Sequence, residues 1–174
     1  MLINSLRGIG RGKVMSFCAD FYEVVDELAE YVEKRYGLNV KEISRIECKE
    51  DLKSELRGII VRKDKPVIFV NAVCDGTTCA IGFKFKTSAR KKHEIEELYR
   101  EEFGRPLPEY LGYRLFGYLD PVREVAPLCV VDEDVKEAER CLNKLLKILE
   151  KANVLVPEKR GRSSMKRGLK EYFK

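Results

Sequence analysis

The chain contains no glutamine and no tryptophan, a single histidine, and no Cys-x-x-Cys pair among its six cysteines. Each scarcity removes a class of reading. One histidine confines any histidine-based acid–base or nucleophilic mechanism to His93, and nothing beside it marks a nucleophile. Without a Cys-x-x-Cys pair, the usual zinc-ribbon and dithiol-redox motifs are missing. No apolar run approaches the roughly 18 residues that a spanning helix needs, so no membrane partner is expected. Residues Met1–Lys13 lack an apolar stretch followed by a small-residue cleavage site, so no secretory signal is expected and a cytoplasmic location follows. Gly8, Gly10 and Gly12 do not form a P-loop. A glycine five residues before Gly12 would fall at Arg7, and Val14 stands where Ser or Thr would ligate magnesium.

The missing Gln and Trp, beside abundant Lys, Arg and Glu, point to a heat-adapted organism, in which thermolabile amides are sparse and surface ion pairs dense. The cysteines (Cys18, Cys48, Cys74, Cys79, Cys129 and Cys141) read mostly as small buried hydrophobes. In a hyperthermophile some of them could pair. Cys74 and Cys79 with His93 would give only three ligands for a zinc ion, with no fourth indicated.

What is present fits one globular domain. The 174 residues are 44% hydrophobic and 36% charged, with a net charge of +5. The location of that charge is informative. Lys159, Arg160, Arg162, Lys166, Arg167, Lys170 and Lys174 outnumber Glu158 and Glu171 by the same five charges that the whole chain carries, so residues 1–157 are balanced. Residues 1–15 read as a mobile basic lead-in, 16–157 as one domain and 158–174 as a basic tail.

Phe17, Phe21, Val24, Val25, Leu28, Val32 and Tyr36 recur at helical spacing before Gly37, which predicts a helix over 17–36. Strand patterns follow over 40–46, 56–62, 67–72 and 77–86, the middle two joined as a hairpin. Ser88 and Gly104 bracket a second helix. Residues 110–119 fit strand or helix. Residues 122–131 read as a strand interrupted by Pro127. Asp134 and Glu137 form a capping box for a last helix on Ala138, Leu142, Leu145, Leu146 and Leu149. The fold class is α+β: a mainly antiparallel sheet of about four to six strands with three helices.

Three sites carry candidate chemistry. First, Leu169, Tyr172 and Phe173 are large apolar groups on a solvated peptide, and one helical turn would gather them on one side to fill a partner's groove. With Lys166, they resemble the clamp-binding peptide (PIP box) of proteins that dock on the sliding clamp PCNA, Lys166 standing where that family has Gln. The resemblance spans residues 166–173 and implies a sliding clamp as partner. A fold-back onto the domain and plain electrostatic tethering remain open.

Second, Lys84, Lys86, Arg90, Lys91 and Lys92 gather where a strand feeds a helix, while Glu96, Glu97, Glu101 and Glu102 end that helix. This order opposes the helix dipole. It suits phosphate or nucleic-acid backbone held by cations and free N–H groups; a surface ion-pair network is the alternative. No aromatic is interleaved here for stacking bases.

Third, His93 and Glu97 lie at i and i+4 with Glu94 between them, a shifted HExxH. Ile68-Phe69-Val70-Asn71, His93–Glu97 and Glu109 through Gly112 and Gly117 to Leu119-Asp120-Pro121 are similar to the ImmA/IrrE metallopeptidases, with Glu97 in place of the second His. That resemblance implies a metal on His93, Glu97 and Glu109. A restriction-type nuclease is not expected, because Gly58 and Asn71-Ala72-Val73 stand where its acidic and Glu-x-Lys residues belong.

The leading expectation is a non-enzymatic adaptor of DNA replication or repair, without a cofactor, that docks on a sliding clamp and touches nucleic-acid phosphates. The alternatives are a divergent metalloprotein and an oligomerising domain whose tail packs on a neighbouring subunit.

Overall fold

The computed structural model describes residues 10–48, 53–61, 67–75, 78–132 and 134–158. Helix α1 (Gly10–Tyr36) leads into strands β1 (Asn39–Cys48), β2 (Lys53–Val61), β3 (Ile68–Asp75) and β4 (Thr78–Lys86). Helices α2 (Ala89–Phe103) and α3 (Glu109–Phe116) follow, then β5 (Glu124–Val125), β6 (Leu128–Asp132) and α4 (Val135–Lys151). The fold is α+β, and every strand pairing is antiparallel.

Helix ends follow local chemistry. Ser88 accepts the Lys91 N–H at 3.1 Å and so satisfies one unpaired donor of the first turn of α2. At the other end Gly104, at φ 73°, turns the chain out and returns its N–H to the Arg100 carbonyl. The Asp134 carboxylate accepts the Lys136 N–H at 3.0 Å to start α4. The expected reciprocal bond of a capping box is replaced: the Glu137 carboxylate takes Arg140 at 3.1 Å. Helix α1 starts at Gly10, seven residues before the expected start and inside the expected lead-in, and stops at Gly37 as expected.

Strands β1 to β4 form a meander in that order, and β4 continues onto β5 and β6. Between Lys41 and Ser44, β1 carries two residues against one of β2, the count of a β-bulge. Strands β5 and β6 keep one register along β4, from Lys86↔Glu124 to Thr78↔Asp132. Pro127 splits them, because it accepts the Phe83 N–H at 3.0 Å but has no N–H to return. Beside it, the Leu128 carbonyl faces the open edge and is capped by the Tyr99 hydroxyl at 2.6 Å. Helix α2 thereby covers part of the edge that pairing leaves free.

Alternation along β4 separates two faces. Cys79, Ile81, Phe83 and Phe85 are buried on one side, with Val70, Ala72 and Cys74 of β3 and Cys129 and Val131 of β6. They join Phe21, Val25, Leu28 and Val32 of α1, Ile95 and Tyr99 of α2, and Leu142, Leu145 and Leu149 of α4 in one core. Two disulfides lie on this side, Cys74–Cys79 across the β3–β4 pair and Cys129–Cys141 from β6 to α4. Four of the six cysteines are therefore cross-links rather than free buried thiols.

On the other face, among the described residues, α3 is the element that packs. Its small core of Leu115, Leu119, Ala126 and Leu128 is separate from the main one. The segment that fits strand or helix in sequence is a helix here for a tertiary reason. A Cβ at Gly112 would lie 3.3 Å from the Ala126 Cβ, and one at Gly82 only 2.8 Å from the Leu128 Cβ and 2.9 Å from the Leu115 Cδ2. Two glycines, one on the helix and one on the strand, let α3 lie flat on the sheet.

Candidate nucleic-acid interface

The five cations of the strand-to-helix turn separate once folded. Lys92 is buried, at 8% exposure; its ammonium donates to the Pro121 carbonyl and sits 3.5 Å from Glu109. Lys91 donates to the Ala152 carbonyl at 2.6 Å and pairs with Glu94 at 3.2 Å. Lys84 points to the outer face, where its ammonium lies 5.4 Å from the Phe69 ring centroid and 5.5 Å from that of Phe116, and donates to the Tyr118 carbonyl. Lys86 and Arg90 are exposed, and among the described residues neither has a carboxylate within 4.0 Å. One first-turn N–H of α2 is already taken by Ser88, so the free positive charge of this turn rests on Lys86 and Arg90.

The proposed metal ligands also part. His93 is 74% exposed in its side chain and reaches Glu97 at 4.0 Å across one helical turn. Glu109 is turned to Lys92 instead. Among the described residues no group of three or more His, Cys, Asp or Glu is placed to hold a metal ion. Cys74 and Cys79 bond to each other. The crevice between Lys92, Glu96, Glu109 and Glu124 leaves no room for a water molecule.

The loop after α3 is ordered by its own acids. The Asp120 carboxylate accepts the N–H groups of Val122 and Arg123 at 3.0 and 3.1 Å, which holds its pKa below the usual carboxylate value. Glu124 accepts the Asp120 N–H at 2.9 Å. Asn71, buried on β3, donates its side-chain amide to the Leu115 carbonyl.

What sequence reasoning missed is the aromatic content of this outer face. Tyr110, Tyr113 and Phe116 follow one another at steps of three along α3, a ridge that exists only once the segment is helical. Tyr110 is 66% and Tyr118 62% exposed. The Arg114 guanidinium donates to the Tyr110 hydroxyl at 3.1 Å and lies 5.8 Å from its ring centroid. Phe69 comes to the same place from β3. The signal in the sequence was the pairing of Gly112 and Leu115 on one side of a helix with tyrosines on the other.

Lys166, Leu169, Tyr172 and Phe173, expected to dock on a sliding clamp, lie outside the described residues. The chain is followed to Glu158, whose N–H donates to the Arg35 carbonyl at 2.8 Å beside the end of α1. Among the described residues no helix is long and apolar enough to cross a membrane. No protein-family model matches the chain, and no curated protein sequence or solved structure is detectably similar to it.

Proposed function

We propose that the protein is a non-enzymatic adaptor of DNA replication or repair, which docks on a sliding clamp through its C-terminal tail and contacts nucleic acid through its body. The observation that carries this reading is the tail itself: Leu169, Tyr172 and Phe173 stand at clamp-peptide spacing on the stretch that holds the whole net charge. Two features of the body agree with it. The described core closes at Leu155, and Val156 beyond it is 56% exposed. Among the described residues, Lys86 and Arg90 face solvent with no carboxylate within 4.0 Å. The metalloprotein reading draws less support, because Glu109 faces Lys92 and, among the described residues, His93 and Glu97 gain no third ligand.

Calorimetric titration of the host's sliding clamp tests this reading. The full chain binds with about micromolar affinity, and Tyr172→Ala with Phe173→Ala weakens binding at least tenfold, or by about 1.4 kcal/mol. A full chain that gives no binding heat at any accessible concentration overturns clamp docking.

A further inference from the structure

Large apolar side chains exposed singly are ordinary on a protein surface, but clustered ones mark an interaction site. Eight such side chains are exposed among the described residues. Six of them, Phe69, Tyr110, Tyr113, Tyr118, Val122 and Val130, belong to α3, the loop after it or the outer face of the sheet. The contacts tie part of this set together. The Lys84 ammonium sits against the rings of Phe69 and Phe116 and under the Tyr118 carbonyl, and Tyr113 lies one helical turn before Phe116.

The cations of this face have, among the described residues, no carboxylate within 4.0 Å. Lys84, Lys86, Arg114 and Arg123 are its cations. Its carboxylates keep their charge and are bonded locally: Asp120 to two backbone N–H groups, with Arg123 and Lys86 near enough to help lower its pKa, Glu109 to Lys92 and Asp132 to the Thr78 hydroxyl. A ligand for such a face presents flat apolar surface and spaced negative charge together. Duplex DNA hides its base faces in the stack. Unpaired nucleic acid meets both demands, with bases available for stacking and phosphates for the cations. The ridge Tyr110–Tyr113–Phe116 advances about 4.5 Å per step along the helix axis, of the same order as the roughly 3.4 Å between stacked bases.

We propose that this face binds single-stranded nucleic acid, with bases stacked on Tyr110, Tyr113 and Tyr118 and phosphates held by Lys86, Arg114 and Arg123. The inference deepens the nucleic-acid half of the function proposed above and rests on it; it does not need the clamp. Arg114 has a second role, since its bond to the Tyr110 hydroxyl fixes that ring in place before any base arrives.

The test uses the full chain and fluorescein-labelled oligo(dT) of roughly 20 nucleotides, longer than the roughly 4–16 that one such platform covers. Anisotropy is read across a salt series. Tyr113→Ala with Tyr118→Ala lowers affinity about tenfold or more. Tyr113→Phe with Tyr118→Phe retains it, because the ring and not the hydroxyl does the stacking. Lys86→Ala with Arg123→Ala flattens the slope of log affinity against log salt by about 1.4, two phosphate contacts on a single strand. The clamp-blind variant, Tyr172→Ala with Phe173→Ala, leaves oligonucleotide binding unchanged, so a failure of clamp docking and a failure of this site read separately.

Three results would overturn the proposal. The wild-type chain binds no oligonucleotide. Binding is insensitive to the face variants and is lost when Lys166, Arg167 and Lys170 are changed to Ala. Or light scattering finds a wild-type dimer that Tyr113→Ala with Tyr118→Ala makes monomeric, which gives the face to a second copy.

Discussion

On one side of β4, Cys79, Ile81, Phe83 and Phe85 meet three helices; on the other, Gly82 and Lys84 meet the eight residues of α3. The first side is held by apolar packing and two disulfides. The second adds polar ties to a smaller apolar core of Leu115, Leu119, Ala126 and Leu128. The three buried polar side chains among the described residues, Asn71, Lys92 and Glu124, all serve it. Each bonds to backbone of α3 or its following loop: Asn71 to the Leu115 carbonyl, Lys92 to the Pro121 carbonyl, and Glu124 to the Asp120 N–H. Apolar burial is non-directional, whereas a hydrogen bond fixes position. The main core therefore supplies stability, and the polar ties set where a small helix sits while leaving its tyrosines outside. A surface that is fixed in place yet not covered is what a binding face requires.

The sharpest way to break this contrast is to truncate one ring on each side. Phe83 is wholly buried in the main core, so Phe83→Ala is expected to cost about 3–5 kcal/mol in urea unfolding. Tyr118→Ala on the outer side is expected to stay within about 0.5 kcal/mol of wild type. Equal losses would show that the outer aromatics are structural and would remove the basis for a binding face.

A smaller effect tests how closely α3 is seated. In Gly82→Ala the new Cβ meets the Leu128 Cβ at 2.8 Å and the Pro127 carbonyl oxygen at 3.2 Å. Neither is the free end of a flexible side chain, so the strand or the helix must shift, at about 1–3 kcal/mol. Faster amide exchange confined to α3 and the Leu119–Arg123 loop is the expected signature. An unchanged stability would mean that α3 rides loosely and that its tyrosines are not pre-positioned.

How much of this was legible in the sequence depends on how local the cause was. Helix α2 could be bounded at both ends because Ser88 and Gly104 act within one turn of themselves. The two faces of β4 could be read from Phe83, Lys84, Phe85 and Lys86 because strand alternation is local as well. Helix α3 could not be assigned. Tyr110, Tyr113 and Phe116 favour strands, and Gly112 disfavours a helix interior. What decides for the helix is the fit of Gly112 against Ala126. The fate of Lys92 was hidden for a like reason. A lysine beside Lys91 and His93 reads as solvated, yet its partner is a carbonyl 29 residues away. The aromatic face was the least legible, since Phe69, Lys84, Phe116 and Tyr118 meet only through the register of β3 on β4 and the seating of α3.

The smallest expected effect lies on the main-core side, where one polar latch joins α1 to α4. The Glu150 carboxylate accepts from the Arg35 guanidinium at 2.8 and 3.3 Å and from the Tyr36 hydroxyl. The hydrogen bond from Arg35 is the largest cause that holds Glu150 below its ordinary value of 4.5. Burial first, and the bond to Glu150 second, push the Tyr36 hydroxyl well above its ordinary value. A carboxylate with a depressed folded-state pKa contributes stability that is present above the unfolded value and is lost as pH falls through the folded one. Arg35 is 43% exposed in its side chain, so the latch is screened and contributes about 1 kcal/mol or less at neutral pH. Glu150→Gln should therefore be less stable than wild type by about that amount at pH 7, and the two curves should converge as pH falls below about 4.5. On the alkaline side, the raised Tyr36 pKa means that wild-type stability falls as pH climbs above about 10. A gap that persists at low pH would assign the effect to packing of the Glu150 stem. A gap that closes would show a charge-assisted latch on a face otherwise governed by apolar burial, and would confine the contrast between the two faces to their centres.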